Sequence, residues 1–254
     1  MPSDIGSQAP TAPLPARHPM FYTQPAALDP TRHGVYRFKP ITDLSFARAT
    51  NCIPLLAGEF AIAQRDYPIV FTKGKVSPVA VVGVRDQQNL FIDAAGRWVT
   101  GTYIPSYVRR YPFAFVQLPE PGKFALCIDE ASGCLTTGEG QPLFENDQPT
   151  ALIQSAMKFC GEFQQDYART QAFCDAIQQA GLLVERRMQI KGPQGQEMAL
   201  DGFAMIDEAK FNALPGETIL QWRQHGWLGL IYAHLMSSNN WRLLGSMTLG
   251  VART

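Results

Sequence analysis

The sequence predicts an α+β fold: a mostly antiparallel sheet in the N-terminal part, a long amphipathic helix, then a β-hairpin and a helical C-terminal part. Three observations predict it. From Ile69 to Asp129 short apolar runs follow one another too closely for helical crossovers between parallel strands. From Thr150 to Gly181 apolar residues recur at helical spacing. From Leu183 to Met205 two segments flank the turn Gly192-Pro193-Gln194-Gly195.

In chain order, residues 1–20 are rich in Pro, Ser and Ala without periodicity and read as a flexible tail. Phe21 to Pro40 is irregular, punctuated by Pro25, Pro30, Gly34 and Pro40. Leu55 to Tyr67 reads as a short helix that Pro68 stops. Ile69–Thr72 and Val79–Val84, joined through Lys73-Gly74-Lys75, read as a hairpin. Asn89–Asp93, Trp98–Ile104, Phe113–Leu118 and Phe124–Asp129 are the remaining strands expected. Thr150 is the expected N-cap of the long helix and Gly181 its stop. Leu152, Ala156, Phe159, Phe163, Tyr167, Cys174 and Ile177 form its apolar stripe, and a break near Arg169-Thr170 is the alternative to one continuous rod. Asp207 caps a short helix to Leu214, Pro215-Gly216 separates it from a helix to His225, and Trp227–Ser237 is an apolar helix. Asn239-Asn240 ends that helix, and Trp241–Met247 adds a further turn. The organisation expected is a tail over 1–20, a β-rich part over 21–148 and a helical part with a hairpin over 149–254.

Composition narrows the function classes. With 46% apolar and 17% charged residues the 254-residue chain can bury a core. Zero net charge argues against a dedicated nucleic-acid binder, which needs a surplus of Lys and Arg. The charge is uneven: residues 1–110 hold 12 basic and 7 acidic side chains, residues 111–254 hold 10 and 15. Pro78–Val84 and Trp227–Met236 are too short to span a bilayer. Without an apolar N-terminal run the expectation is a soluble, cytoplasmic protein, with signal-less export as the alternative. Five cysteines (Cys52, Cys127, Cys134, Cys160 and Cys174) without close pairs read as free buried thiols.

The densest chemistry lies between Thr100 and Phe115. Tyr107, Tyr111, Phe113 and Phe115 share nine residues with Arg109 and Arg110. Two guanidinium groups beside the hydroxyls of Tyr103 or Tyr107 suit a carboxylate or phosphate. The competing reading makes the aromatics core and the arginines partners of native carboxylates. Candidate ligand- or partner-binding residues are Tyr103, Tyr107, Arg109, Arg110, Tyr111 and His234. His234, beside Tyr232 and Ser237, reads more readily as a satisfied histidine in a packed helix, and the histidine spacing suggests no metal site. No phosphate loop or nucleophile elbow is present, so no cofactor is expected and a catalytic set is not identified. Cys127 and Cys134 flank a turn, and Asp129, Glu130, Glu145 and Asp147 flank an acidic loop without calcium-loop spacing.

Several segments carry a family resemblance. They are Ile53-Pro54-Leu55-Leu56-Ala57-Gly58-Glu59-Phe60, Tyr67-Pro68-Ile69-Val70-Phe71 and Tyr103-Ile104-Pro105-Ser106-Tyr107-Val108-Arg109-Arg110-Tyr111-Pro112-Phe113. Gly140 to Phe144 and Ile231 to Ser237 follow. From Asn51 to Met247 the chain resembles the bacterial SapC family. That resemblance implies an accessory role, with surface-layer association and partners among products of neighbouring TonB-receptor, halogenase or cupin-like genes. It does not extend to the transporter permease of the same name, which spans a membrane. It brings no catalytic residues. The leading expectation is an accessory or binding protein for a partner protein, peptide or anionic small ligand. The alternatives are a surface-layer structural protein and an enzyme using Arg109, Tyr107 and His234.

Overall fold

A computed structural model describes residues 18–120, 122–191 and 197–250. Most of the tail read over 1–20, and the turn at 192–195, lie outside them. The described elements begin with β1 (Pro25–Ala27), α1 (Pro30–His33), β2 (Arg37–Phe38), β3 (Cys52–Pro54), α2 (Phe60–Ala63), β4 (Ile69–Thr72) and β5 (Pro78–Val81). Next come α3 (Ser106–Arg109), β6 (Phe113–Gln117), β7 (Phe124–Asp129), β8 (Leu135–Thr136), β9 (Gln141–Pro142), β10 (Phe144–Glu145) and β11 (Gln148–Pro149). The chain continues through α4 (Ala151–Gln179), β12 (Leu183–Lys191), β13 (Glu197–Ile206), α5 (Glu208–Asn212), α6 (Gly216–Gln224), α7 (Trp227–Ser237) and α8 (Asn240–Thr248). Every pairing between these strands is antiparallel, as the tight spacing of apolar runs predicts.

Two compact units emerge, each assembled from separate stretches of chain. One comprises residues Met1–Lys39 and Pro112–Cys160; the other comprises Pro40–Tyr111 and Gly161–Thr254. This grouping by contacts is distinct from the grouping by composition, which expects a β-rich part to residue 148 and a helical part from 149. Composition follows secondary structure, whereas unit membership follows long-range pairing.

The first unit holds the sheet β1-β7-β6 and the small sheet β8-β2-β9. Pro25 lies opposite Asp129, and Phe113 opposite Ile128. Asp129 is fully buried and accepts from Gln24 N (2.6 Å) and Thr23 N (3.2 Å), which ties the incoming chain to the end of β7. Asp29 caps α1 by accepting from Thr31 N and Arg32 N. Asn146 and Asp147 join β10 to β11 with φ of 49° and 59°, the left-handed pair that a two-residue hairpin needs.

The second unit holds the five-stranded sheet β12-β13-β4-β5-β3. β4 and β5 form the expected hairpin and β12 and β13 the second, with a register shift between Arg186 and Met188. Phe60, Phe71 and Phe173 are fully buried; Phe173 lies edge-on to Phe60 at 6.1 Å. Each such ring contributes about 1.5–3 kcal/mol by leaving water. From α8, Trp241 stacks on Phe203 of β13 at 5.5 Å. α4 runs unbroken through Arg169-Thr170, where buried Thr170 donates its hydroxyl to the Asp166 carbonyl (2.7 Å).

Several sequence expectations change. The helix over Leu55–Tyr67 shrinks to a 3-10 turn at Ala57–Glu59 and the four residues of α2. Asn89–Asp93 and Trp98–Ile104 are not strands; a single bridge joins Ile92 to Trp98. Side chains occupy the backbone groups a ladder would use: Asn89 accepts from Phe91 N (2.9 Å), and Asp93 accepts from Ala95 N and Arg97 N (both 2.9 Å). Trp241–Met247 is part of a nine-residue helix. Arg109 and Arg110 sit on and just after the helical turn α3, not at the mouth of an extended strand.

Candidate functional site

The site grows from one carboxylate. Glu59 follows Leu55-Leu56-Ala57-Gly58 and precedes Phe60, and the surrounding apolar residues draw it out of water to 6% exposure. A buried carboxylate needs donors for both oxygens. Glu59 receives four hydrogen bonds. Oε1 accepts from Ser106 N (2.7 Å) and Tyr103 Oη (2.8 Å); Oε2 accepts from Leu56 N (2.8 Å) and Ser106 Oγ (2.8 Å). The Leu56 bond closes the turn that carries Glu59. The other three clamp the Tyr103–Ser106 segment against it.

α4 completes the turn. Thr170 Oγ1 accepts from Ala57 N (2.8 Å), and Asp166 Oδ2 accepts from Gly58 N (3.2 Å). Asp166 and Thr170 are four apart and share one face of the helix. Gly58 is needed for this approach, since a Cβ there would sit 2.6 Å from Asp166 Oδ2. Farther along the second segment, Tyr103 N donates to Asp66 Oδ2 (2.9 Å), and Tyr67 Oη bonds the Tyr103 carbonyl while accepting from Trp98 Nε1 (3.1 Å).

On this frame stand the aromatic and arginine residues that the sequence singles out. Tyr103 is half-buried. Its phenol is pushed up to about 12, first by desolvation, then by the charge and hydrogen bond of Glu59, with Arg109 pulling the other way. It keeps its proton at neutral pH and serves as a donor. Arg109 is exposed; Nε donates to the Ile104 carbonyl (3.0 Å), Nη2 donates to Tyr103 Oη (3.1 Å), and the guanidinium lies 5.6 Å from the Tyr103 ring centre. Arg110 lies between two rings, 4.0 Å from the centre of Tyr107 and 4.5 Å from that of Phe163. Tyr111 stacks on Phe46 at 4.1 Å.

A family model for SapC matches residues 28–244 of the chain. The chain belongs to the SapC family. No curated protein and no solved structure matches it. In this SapC-family chain, two of the segments that carry the family resemblance meet at one carboxylate: Glu59 from the first bonds Tyr103 and Ser106 from the second.

The candidate residues thus separate. Tyr103 and Arg109 touch each other; Tyr107 and Arg110 form a second stacked group with Phe163; Tyr111 belongs with Phe46. His234 is fully buried on α7, where Nε2 accepts from Ile206 N (3.0 Å) and the ring lies 5.1 Å from Phe71. Its Nδ1 is buried without a hydrogen-bond partner among the described residues. Glu59, Ser106, Phe163, Asp166 and Thr170 were not among the candidates. For Glu59 a signal was present, a single charge inside an otherwise apolar octet from Ile53 to Phe60. Among the described residues, no group of three His, Cys, Asp or Glu side chains is placed to hold a metal ion, and no helix is long and apolar enough to cross a membrane.

Proposed function

We propose that this SapC-family protein is an accessory binding protein whose Tyr103–Arg110 segment receives an anionic group, a carboxylate or phosphate, carried by a partner protein or peptide. The observation that carries this reading is the pre-organised Arg109. Hydrogen bonds to the Ile104 carbonyl and Tyr103 Oη help orient its exposed guanidinium on a segment clamped by Glu59. A charge held in place before binding loses little entropy on binding, and Arg and Tyr are the side chains that dominate interfaces. Glu59 spends its lone pairs inside the protein and Tyr103 holds its proton, so the cluster is built for shape and recognition.

The test is purification of tagged wild-type and Arg109→Ala chains from the native cells, with bound proteins and small molecules identified by mass spectrometry. The expected result is a defined partner on the wild type that is lost from Arg109→Ala, with the unfolding curve unchanged. The same partner on both, or an empty wild type, overturns the proposal. Unfolding of Arg109→Ala assigns the residue to the fold instead.

A further inference from the structure

Asp-Gly occurs once in the sequence, at Asp201-Gly202, and Asn-Gly does not occur. The pair falls at the irregularity in the β12–β13 ladder. Phe203 pairs with Arg186 and Leu200 with Met188, so Asp201 and Gly202 together stand opposite the single residue Arg187. That is a β-bulge on β13, and Gly202 takes its left-handed place with φ of 80°. Both residues are exposed, whereas Phe203 and Ala204 are buried. On its other side β13 pairs with β4 at Phe203 and Ala204, beyond the bulge.

A regular strand protects an aspartate from its own backbone. The next N–H is committed to a neighbouring strand, and the carboxylate projects out of the sheet, away from that nitrogen. At a bulge the ladder is locally disrupted, and glycine has no side chain to shield its nitrogen. There is also room to turn, since a Cβ on Gly202 would meet no atom within 4 Å.

We infer that Asp201 is a site of spontaneous isomerisation, at which β13 acquires an isoaspartyl linkage as the folded protein ages. The carboxylate takes a proton from solvent, and the Gly202 nitrogen attacks its carbon. The new C–N bond closes a five-membered succinimide, and the amide proton leaves with one carboxyl oxygen as water. Water then adds at the main-chain carbonyl of Asp201 and breaks its bond to nitrogen. That carbonyl becomes a free carboxylate, and the chain now runs through the Asp201 methylene. Composition is unchanged and no oxidant or cofactor is consumed. The product carries one extra main-chain carbon two residues before Phe203, which pairs with Thr72 of β4 and stacks on Trp241. Isomerisation therefore loosens the join between the β12–β13 hairpin and the rest of its sheet.

The test is storage of the folded full chain in heavy-oxygen water at neutral pH and physiological temperature, followed by proteolysis and fragment mass spectrometry. Each passage through the succinimide exchanges one carboxyl oxygen with solvent. Asp201 should take up heavy oxygen and give isoaspartate, at a rate within a few-fold of that in the same chain kept unfolded in guanidinium chloride. Asp66 and Asp166, which accept hydrogen bonds from Tyr103 N and Gly58 N, should take up none while the chain is folded. Asp201→Glu keeps the charge but cannot close the five-membered ring, and should lose the signal with an unchanged unfolding midpoint. The aged fraction should unfold at lower urea than fresh protein. An Asp201 that exchanges in the unfolded chain but not in the folded one overturns the inference, and equal urea midpoints overturn the effect assigned to the sheet. Should the glutamate variant not fold, the folded-against-unfolded comparison in the wild type carries the test.

Discussion

Replacing Glu59 by Gln tests whether one carboxylate holds the two family segments together. Gln keeps the size of the side chain and one acceptor oxygen, but puts an amide nitrogen where the other oxygen was. The hydroxyls of Tyr103 and Ser106 can rotate to accept from that nitrogen. The backbone donors cannot. With the nitrogen at the Oε2 position it faces Leu56 N; at the Oε1 position it faces Ser106 N. One buried N–H is therefore left unsatisfied in either orientation, at a cost of about 1–3 kcal/mol. The surviving bonds change from charge-assisted to neutral, which removes roughly another 1 kcal/mol or more. The total expected is about 3 kcal/mol, a fall in Tm of roughly 6–12 °C for a chain of this size. All four tryptophans (Trp98, Trp222, Trp227 and Trp241) lie in the unit that contains Glu59, so urea unfolding followed by tryptophan fluorescence reports that unit directly. A loss below about 1 kcal/mol, with the denaturant slope unchanged, would refute the view that Glu59 is the clamp.

Two further outcomes follow from buried groups. Burial holds His234 down to about 4, with the Ile69 backbone pulling weakly the other way. A histidine depressed in the folded state is neutral there while the unfolded chain takes up the proton, so stability falls as pH drops from about 6.5 towards 4, by about 2 kcal/mol at pH 5. His234→Gln, whose oxygen can still accept from Ile206 N, should flatten urea midpoints between pH 7 and pH 5; an unchanged slope refutes this origin. The thiols give the second. Cys127, Cys134, Cys160 and Cys174 are buried, and half-buried Cys52 is pushed up to about 11 by desolvation and then by Asp86. A thiol reagent at pH 8 should label all five cysteines in denaturant and none rapidly in the folded protein, whereas rapid native labelling of any buried thiol contradicts the packing.

Local signals made much of the fold legible. The β4–β5 hairpin follows from two β-rich runs around Lys73-Gly74-Lys75, and Asp207 caps its helix by accepting from Lys210 N (3.1 Å) as its position before that helix predicts. What failed was non-local. The two-residue strands β2, β8 and β9 exist only because Arg37 and Phe38 find Thr136, Leu135, Pro142 and Gln141 about a hundred residues away. No periodicity can reveal such short pairings. The site follows the same rule. The aromatic and arginine content of the Tyr103–Tyr111 segment is visible in sequence, but its division between Glu59, Phe163 and Phe46 depends on which distant elements fold against it. Charge type alone does not tell that Arg109 lies over Tyr103 while Arg110 lies between Tyr107 and Phe163.

The place of β4 in its sheet has a consequence for biosynthesis. Phe71 and Thr72 pair with Ala204 and Phe203, and Ile69 N donates to Ser237 Oγ (3.0 Å). From Thr72 to Phe203 is 131 residues. At about 5–20 residues per second, a ribosome needs roughly 7–26 s to supply the strand that covers this edge. Through that interval Ile69-Val70-Phe71, apolar and β-prone, has β5 on one side and an open edge on the other. Chains truncated before residue 197 would carry that edge permanently. Nascent chains would be recognised there by holdase chaperones, and slowing translation beyond residue 111 would lengthen their exposure and favour aggregation.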